Sequence, residues 1–216
     1  MRQVAKLVVF ITITVSMIWS SVSQAAFFGL PRALAYHLER IGLDKPALPP
    51  LGHTFFCLSH PEDCTVSPTD FRRRNIALTE ERWNELNLVN RAVNRNIAPD
   101  ENVTDEWRIS PEIGDCKDYA VTKRHELLAR GWPSRALLLS EVIVPSGAHH
   151  LILLVRTKDA DLVLDNLNAN IRTVAMTFHQ YRWVRIESPQ NPMFWASVSA
   201  PSTDRTAMAS ADPGTS

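Results

Sequence analysis

The chain has 216 residues, 45% of them hydrophobic, with 23 basic and 23 acidic side chains and a formal net charge of zero. This length is typical of one globular domain with short appendages. Because no basic excess is present to neutralise phosphates, the composition argues against a nucleic-acid partner.

The N-terminus has the pattern of a secretory signal. Arg2 and Lys6 form a basic start, residues 7–19 form an apolar core, and residues 23–25 supply small side chains at a cleavage position. The apolar core is shorter than the ~20 residues that a membrane span needs, although a retained anchor is the alternative interpretation. We therefore expect residues 1–25 to be a signal peptide that exports the protein to the periplasm.

The remaining chain divides by composition into three parts. Residues 26–55 are rich in Pro and Leu and are expected to form an N-terminal extension, with a short helix from Arg32 to Ile41. Residues 56–198 carry the periodic apolar segments of a folded domain. Residues 199–216 are rich in Ser, Thr, Ala and Pro, so we expect a disordered tail.

The first two of the three cysteines, Cys57 and Cys64, bracket a short loop that contains the turn-forming Pro61. In an oxidising periplasm we expect them to form a disulfide. The third cysteine, Cys116, would then be the single free thiol. A metal half-site formed by Cys57, His60 and Cys64 is the competing interpretation, but one half-site supplies too few ligands for a closed zinc centre.

Two helices are predicted before the strands begin. Residues 79–97 have apolar side chains at helical spacing, with Thr79 as the expected cap. Residues 113–130 form the second helix, with Asp115 as its cap and Cys116 in its first turn. Backbone N–H groups are unpaired in a first turn and stabilise a thiolate or an oxyanion. The alternative is that Cys116 is a buried structural cysteine.

A tryptophan, Trp107, lies on the approach to Cys116 in the sequence. It could form a wall of a cleft around the thiol or donate its indole N–H to an oxyanion. A plain packing role for Trp107 is the alternative.

Three apolar segments after the second helix predict strands, and two of them carry polar side chains that suit catalysis. A hairpin between the second and third strands places Asp165 opposite His150 or one diagonal step away, within reach of a hydrogen bond. A register slip of one residue would turn Asp165 to the other face. A thiol, an imidazole and a carboxylate in contact would form a nucleophile, its base and the group that orients the base. The predicted strands span residues 135–144, 150–157 and 162–167.

Three motifs occur together in this chain. They are Gly114 to Ala120 (GDCKDYA), His150 to Thr157 (HLILLVRT) and Val163 to Asn166 (VLDN). As a connected set they resemble the bacterial transglutaminase-like cysteine peptidases, whose LapG-type members are periplasmic proteases. The resemblance runs from about residue 56 to about residue 186.

This resemblance implies an α+β fold of the papain-like, transglutaminase-like type. A helix that carries the cysteine packs there on an antiparallel sheet that carries the histidine and the aspartate. The resemblance also implies that Cys116 is the nucleophile, His150 the base and Asp165 the residue that orients the imidazole. It selects His150 over His149 because the Val-Arg-Thr motif fixes the alignment, and His149 then flanks the site.

LapG-type proteases bind calcium beside the nucleophile through acidic residues, and Asp115 and Asp118 match two of those positions. The glutamate that relatives carry between them is replaced here by Lys117. An ammonium group opposes the binding of a hard cation that seeks oxygen ligands. We therefore expect that no cofactor is required and that calcium binds weakly or not at all.

The leading hypothesis is an exported cysteine endopeptidase that acts on a protein substrate. The resemblance implies a cell-surface adhesin as that substrate and an inner-membrane receptor as regulator. The same fold and triad also support acyl transfer or amidase chemistry. A non-catalytic periplasmic binding or regulatory module is the alternative from another class; Lys117 motivates it, and the intact Cys, His and Asp set argues against it.

Overall fold

The structure is a computed structural model that describes residues 39–66, 76–100 and 104–203. The predicted signal peptide, residues 26–38 of the predicted extension with most of its helix, and residues 204–216 of the predicted tail lie outside the described residues. Within the described ranges, no helix is long and apolar enough to cross a membrane.

An antiparallel sheet is the centre of the fold. Over the part of the chain that the structure describes, its strands are β1 (Glu39–Ala47), β4 (Leu137–Ile143), β5 (His149–Arg156), β6 (Asp161–Leu164), β7 (Arg172–Thr173), β8 (Arg182–Glu187) and β9 (Trp195–Thr203). They lie in the order β1-β9-β8-β4-β5-β6-β7, and every neighbouring pair is antiparallel. A separate parallel pair, β2 (Ala98–Pro99) and β3 (Ile113–Gly114), leads into the helix that carries Cys116.

The helices of the described ranges are α1 (Leu51–Ser59), α2 (Glu80–Asn96), α3 (Cys116–Ala129) and α4 (Val174–Phe178), and a 3-10 turn spans Ser134–Ala136. The predicted cap of α2 is confirmed, because the Thr79 side chain accepts a hydrogen bond from the backbone N–H of Arg82. Helix α3 packs on β5, so the helix with the cysteine lies on the antiparallel sheet as predicted.

The sheet is buried on both faces. One apolar cluster joins α1, α2 and α3 to the sheet and includes Leu86, Leu127, Leu139, Leu153 and Leu164. The other cluster joins β1 and α4 to the opposite face and includes Ile41, Leu138, Ile152, Val163 and Val174. Residues of both clusters alternate along β4 and β5, which explains why these strands have nearly continuous apolar sequences.

Three predicted boundaries differ from the structure. Strand β1 pairs with β9, so the sheet begins well before residue 56, and Ile41 lies in a strand rather than at the end of a helix. Strand β9 runs to Thr203, so residues 199–203 do not belong to a disordered tail. Proline and small residues argue locally against a strand, but an edge strand such as β1 tolerates Pro46 because part of its backbone needs no partner.

The predicted disulfide between Cys57 and Cys64 is present, with the two Cα atoms 5.5 Å apart. It ties the end of α1 to the turn that follows, and Cys116 is the free cysteine. The histidine beside the bridge is His53, whose Nε2 lies 3.5 Å from the Cys57 sulfur. The ring of His60 stacks on Phe56 instead, so the sulfur atoms and His60 do not form the metal half-site considered from the sequence.

Candidate active site

The thiol of Cys116 lies in the first turn of α3 and is half-buried. The Asp115 side chain caps this helix and accepts from the Lys117 N–H at 3.0 Å, while Asp118 accepts from the Asp115 N–H at 3.2 Å. Residue 114 has to be glycine, because a Cβ there would lie 2.5 Å from a carboxylate oxygen of Asp118. The chain therefore holds the thiol at a helix end, where backbone N–H groups are available to a developing negative charge.

The imidazole of His150 and the carboxylate of Asp165 are in direct contact. Strand β5 pairs with β6 so that Leu153 faces Leu164, which places Asp165 one diagonal step from His150. The distance from His150 Nε2 to Asp165 Oδ1 is 2.8 Å, and both side chains are buried. This is the placement expected from the predicted hairpin.

The Cys116 thiol lies near the His150 imidazole and favours its charged form. Since Nε2 is taken by Asp165, Nδ1 is the ring nitrogen left for the thiol. Burial lowers the pKa of His150, but the hydrogen bonds with Asp165 and Cys116 outweigh burial and raise it to about 9. The imidazole is therefore charged in neutral solution, and a charged imidazole favours the thiolate form of a neighbouring cysteine.

The Asp165 carboxylate accepts hydrogen bonds from three donors and has one cation nearby. Its Oδ1 accepts from His150 and, at 3.0 Å, from the Leu167 N–H, and its Oδ2 accepts from the Tyr181 hydroxyl at 2.6 Å. The NH2 atom of Arg172 lies 3.6 Å from Oδ2. Burial raises the pKa of Asp165, but these hydrogen bonds, that of His150 foremost, outweigh burial and lower it to about 2. The group is thus an anion throughout the neutral range.

Sequence reasoning missed Tyr181 and Arg172 as parts of this site. From the sequence alone, Tyr181 has no assigned role in the site. In the structure it precedes β8, and its hydroxyl lies at Asp165, 16 residues earlier in the chain. No local pattern indicates this contact, because it depends on how the segments around β7 and β8 are brought beside the end of β6.

The neighbouring histidine, His149, has a different environment. Its Nδ1 lies 2.5 Å from an oxygen of Glu141, and its side chain is 65% exposed. Glu141 also forms an ion pair with Arg185 on β8. His149 therefore belongs to a surface charge cluster, and His150 is the histidine that contacts the thiol.

Trp107 packs against α1. Its ring lies edge-on to His53, with centroids 5.5 Å apart, and tilted against Phe56 at 6.2 Å. Its indole nitrogen lies beside Gly52, where an added Cβ would be only 2.6 Å away. These contacts support the packing role for Trp107 and do not support the oxyanion role considered from the sequence.

The two carboxylates at the family calcium positions are already satisfied by protein donors. Asp115 accepts from the Lys117 N–H and forms an ion pair with the Lys117 ammonium. Asp118 accepts from the backbone N–H of Arg108 at 2.8 Å and from its guanidinium at 2.9 Å, and its side chain is 1% exposed. A calcium ion needs six to eight oxygen ligands, so an ion at this place would have to take both carboxylates from their present donors.

We expect the chelator-treated protein to show no micromolar affinity when it is titrated with Ca²⁺ in a calorimeter. An ammonium within several Å of the ion would repel it by ~1 kcal/mol or more. The variant Lys117→Glu removes that ammonium and restores the acidic residue of relatives, and binding that is seen only in this variant would support the explanation. Micromolar binding by the unmodified protein would contradict it.

Comparison with known proteins gives one family and a set of similar structures. The family model of the bacterial transglutaminase-like cysteine proteinases (BTLCP) matches residues 43–203. Calcium-bound Legionella pneumophila LapG is 23% identical over 53% of this chain and 68% of that chain, with a TM-score of 0.47. EGTA-treated LapG from the same organism is 22% identical over 58% and 74% of the two chains, with a TM-score of 0.46. No curated protein matches the chain.

The family match covers most of the chain and includes the helix that begins at Cys116 and the strands beside His150 and Asp165. The helices and the antiparallel sheet that the sequence predicted lie almost entirely within the matched residues. The chain therefore belongs to the bacterial transglutaminase-like cysteine proteinases and is a cysteine peptidase.

Proposed function

We propose that the protein is an exported cysteine endopeptidase in which Cys116, His150 and Asp165 form the catalytic triad. The observation that carries this proposal is the 2.8 Å hydrogen bond between His150 and Asp165, with the Cys116 thiol near the same imidazole and raising its pKa. His150 and Asp165 are buried, Asp165 almost completely, while Cys116 is half-buried.

The three residues have different chemical tasks. The Cys116 thiolate attacks the carbonyl carbon of a peptide bond, and the charged His150 gives its Nδ1 proton to the leaving amine, which leaves a thioester. The neutral imidazole then takes a proton from a water molecule that hydrolyses the thioester. Asp165 fixes the imidazole tautomer and stabilises its charged form, and N–H groups in the first turn of α3 stabilise the oxyanion.

We place this activity in the periplasm. The signal-like residues 1–25 and the Cys57–Cys64 disulfide both suit an exported protein in an oxidising compartment. As substrate we propose a cell-surface adhesin, and as regulator an inner-membrane receptor, in line with the LapG-type resemblance. Lys117, which motivated the non-catalytic alternative, pairs with Asp115 beside an ordered helix start and so gives no reason to assume lost activity.

Alkylation of the purified, non-reduced protein tests the proposal. We expect iodoacetamide to modify Cys116 at least ~10-fold faster in the native protein than in the denatured one at pH 7, because an ordinary thiol is only a few per cent thiolate there. Peptidase activity should fall in proportion to the label found on the Cys116 peptide. His150→Ala should remove the fast reaction while Cys116 stays accessible. A thiol that reacts equally slowly in native and denatured protein would refute the proposal.

A further inference from the structure

The carboxylate oxygen of Asp165 that does not face His150 is held by Tyr181. This tyrosine is 8% exposed, and its hydroxyl lies 2.6 Å from Asp165 Oδ2. Its ring also lies edge-on to the His150 ring, with centroids 6.4 Å apart. One side chain therefore contacts both supporting members of the triad.

The direction of the Tyr181 hydroxyl proton follows from Arg172. The NH2 group of Arg172 lies 2.9 Å from the Tyr181 oxygen, and a guanidinium can only donate. The phenol oxygen accepts there, so its own proton goes to Asp165. Burial and the bond to Asp165 raise the pKa of Tyr181 to about 12, which keeps this proton in place.

Arg172 donates to Tyr181 and not to Asp165, although it lies close enough to Asp165 to bond it after a small movement. Its NH2 atom is 3.6 Å from Asp165 Oδ2, and its Nε makes no hydrogen bond with any residue that the structure describes. Its NH1 is held by Gln180 at 2.5 Å. A guanidinium that meets a carboxylate directly forms strong, often two-pronged bonds. Such a pair would compete with His150 for the carboxylate.

Other charged groups near Asp165 and Tyr181 also affect the pH at which His150 loses its proton. His150 meets the carboxylate from β5, Arg172 meets it from β7, and Lys123 of α3 is buried near it. Burial lowers the pKa of Lys123 to about 7, although the charge of Asp165 acts in the opposite direction. The other ring nitrogen of His150 is left for Cys116. Among the side chains that meet Asp165, Tyr181 is the uncharged donor.

We propose that Tyr181 is a positioning residue of the triad. Its hydroxyl fixes the Asp165 carboxylate in the orientation that receives His150, and it keeps the Arg172 guanidinium from taking that carboxylate. This inference rests on the catalytic roles proposed above, but its test needs no substrate. Without the Tyr181 hydroxyl, the NH2 group of Arg172 loses its acceptor and bonds to Asp165 instead. The Asp165 carboxylate then binds His150 less strongly, and the guanidinium charge lies closer to the imidazole.

The test is the pH midpoint at which His150 loses its proton, measured by NMR on protein labelled with ¹⁵N-histidine. The His150 signal is assigned by its loss in His150→Gln. Tyr181→Phe keeps the ring and removes only the hydroxyl, and we expect it to lower the midpoint by ~0.5–1 pH unit. Tyr119→Phe is the matched control, because its buried hydroxyl donates to the Ile97 carbonyl instead, and we expect no shift.

Tyr181 is proposed both to orient Asp165 and to keep Arg172 away from it, and removal of the guanidinium separates these two effects. In Tyr181→Phe combined with Arg172→Met, nothing can close on the carboxylate, so the midpoint should return to the unmodified value or exceed it. An unchanged midpoint in Tyr181→Phe, or an equal fall in the double variant, overturns the inference. If Tyr181→Phe does not fold, Arg172→Met alone must raise the midpoint, and a fall or no change overturns the inference. A protein that shows these shifts but cleaves no peptide refutes the proposed function and leaves the role of Tyr181 standing.

Discussion

Cys116→Ala is expected to abolish peptide hydrolysis, with a loss of ~10⁴-fold or more in kcat. The variant removes the atom that forms the thioester, and the remaining groups of the site have no bond to make with the substrate. The fold should survive, because the sulfur is only half-buried and the caps of α3 come from Asp115 and Asp118. Initial rates on a protein substrate, together with the thermal unfolding midpoint, measure both parts.

The control for this result is Cys116→Ser, which keeps nearly the same shape. A serine hydroxyl is a much weaker nucleophile beside an imidazole that is already charged, so this variant should be about as inactive. Retention of more than ~10% of activity by Cys116→Ala would mean that another group carries the chemistry, since loss of a nucleophile normally costs several orders of magnitude.

His150→Ala is the second variant with a large expected effect, ~10³-fold or more in kcat. Without the imidazole, the thiol loses the charged partner that favours its thiolate, and the leaving amine loses its proton donor. Asp165 is also left buried without its strongest partner, so a fall in the unfolding midpoint should accompany the loss of activity.

The adjacent histidine supplies the matched control. His149→Ala removes an exposed ring that pairs with Glu141, and a surface pair of this kind contributes ~1 kcal/mol or less. We expect activity within about threefold of the unmodified protein. This is a smaller change in activation free energy than the ~1.4 kcal/mol that a tenfold change in rate requires. If the two variants ranked in the reverse order, the assignment of His150 as the base would be wrong.

The parts of the site that sequence reasoning predicted are those with local signals. Asp115 is a cap type next to a periodic segment, and this fixed the start of α3 and hence the place of Cys116. The apolar runs of β5 and β6, with a polar turn between them, defined a hairpin, and the hairpin alone brings Asp165 to a diagonal of His150.

The parts that it missed depend on contacts between segments far apart in the chain. Strand β1 pairs with β9 across roughly 150 residues, and Pro46 argues locally against a strand. Tyr181 reaches Asp165 only because the sheet places the start of β8 near the end of β6. Trp107 lies close to Cys116 in the sequence, but its contacts with α1 determine the direction of its ring.

The ion pair between Lys117 and Asp115 affects how far the order of the loop before Cys116 depends on calcium in the medium. A metal ion that orders a loop comes from the medium, so the fraction of ordered protein follows the concentration of that ion. An ammonium attached to the chain cannot diffuse away, and its effective concentration beside Asp115 is constant. We therefore expect the loop before Cys116 to be equally ordered in calcium-poor and calcium-rich water, so the supply of calcium would not govern when the enzyme is active.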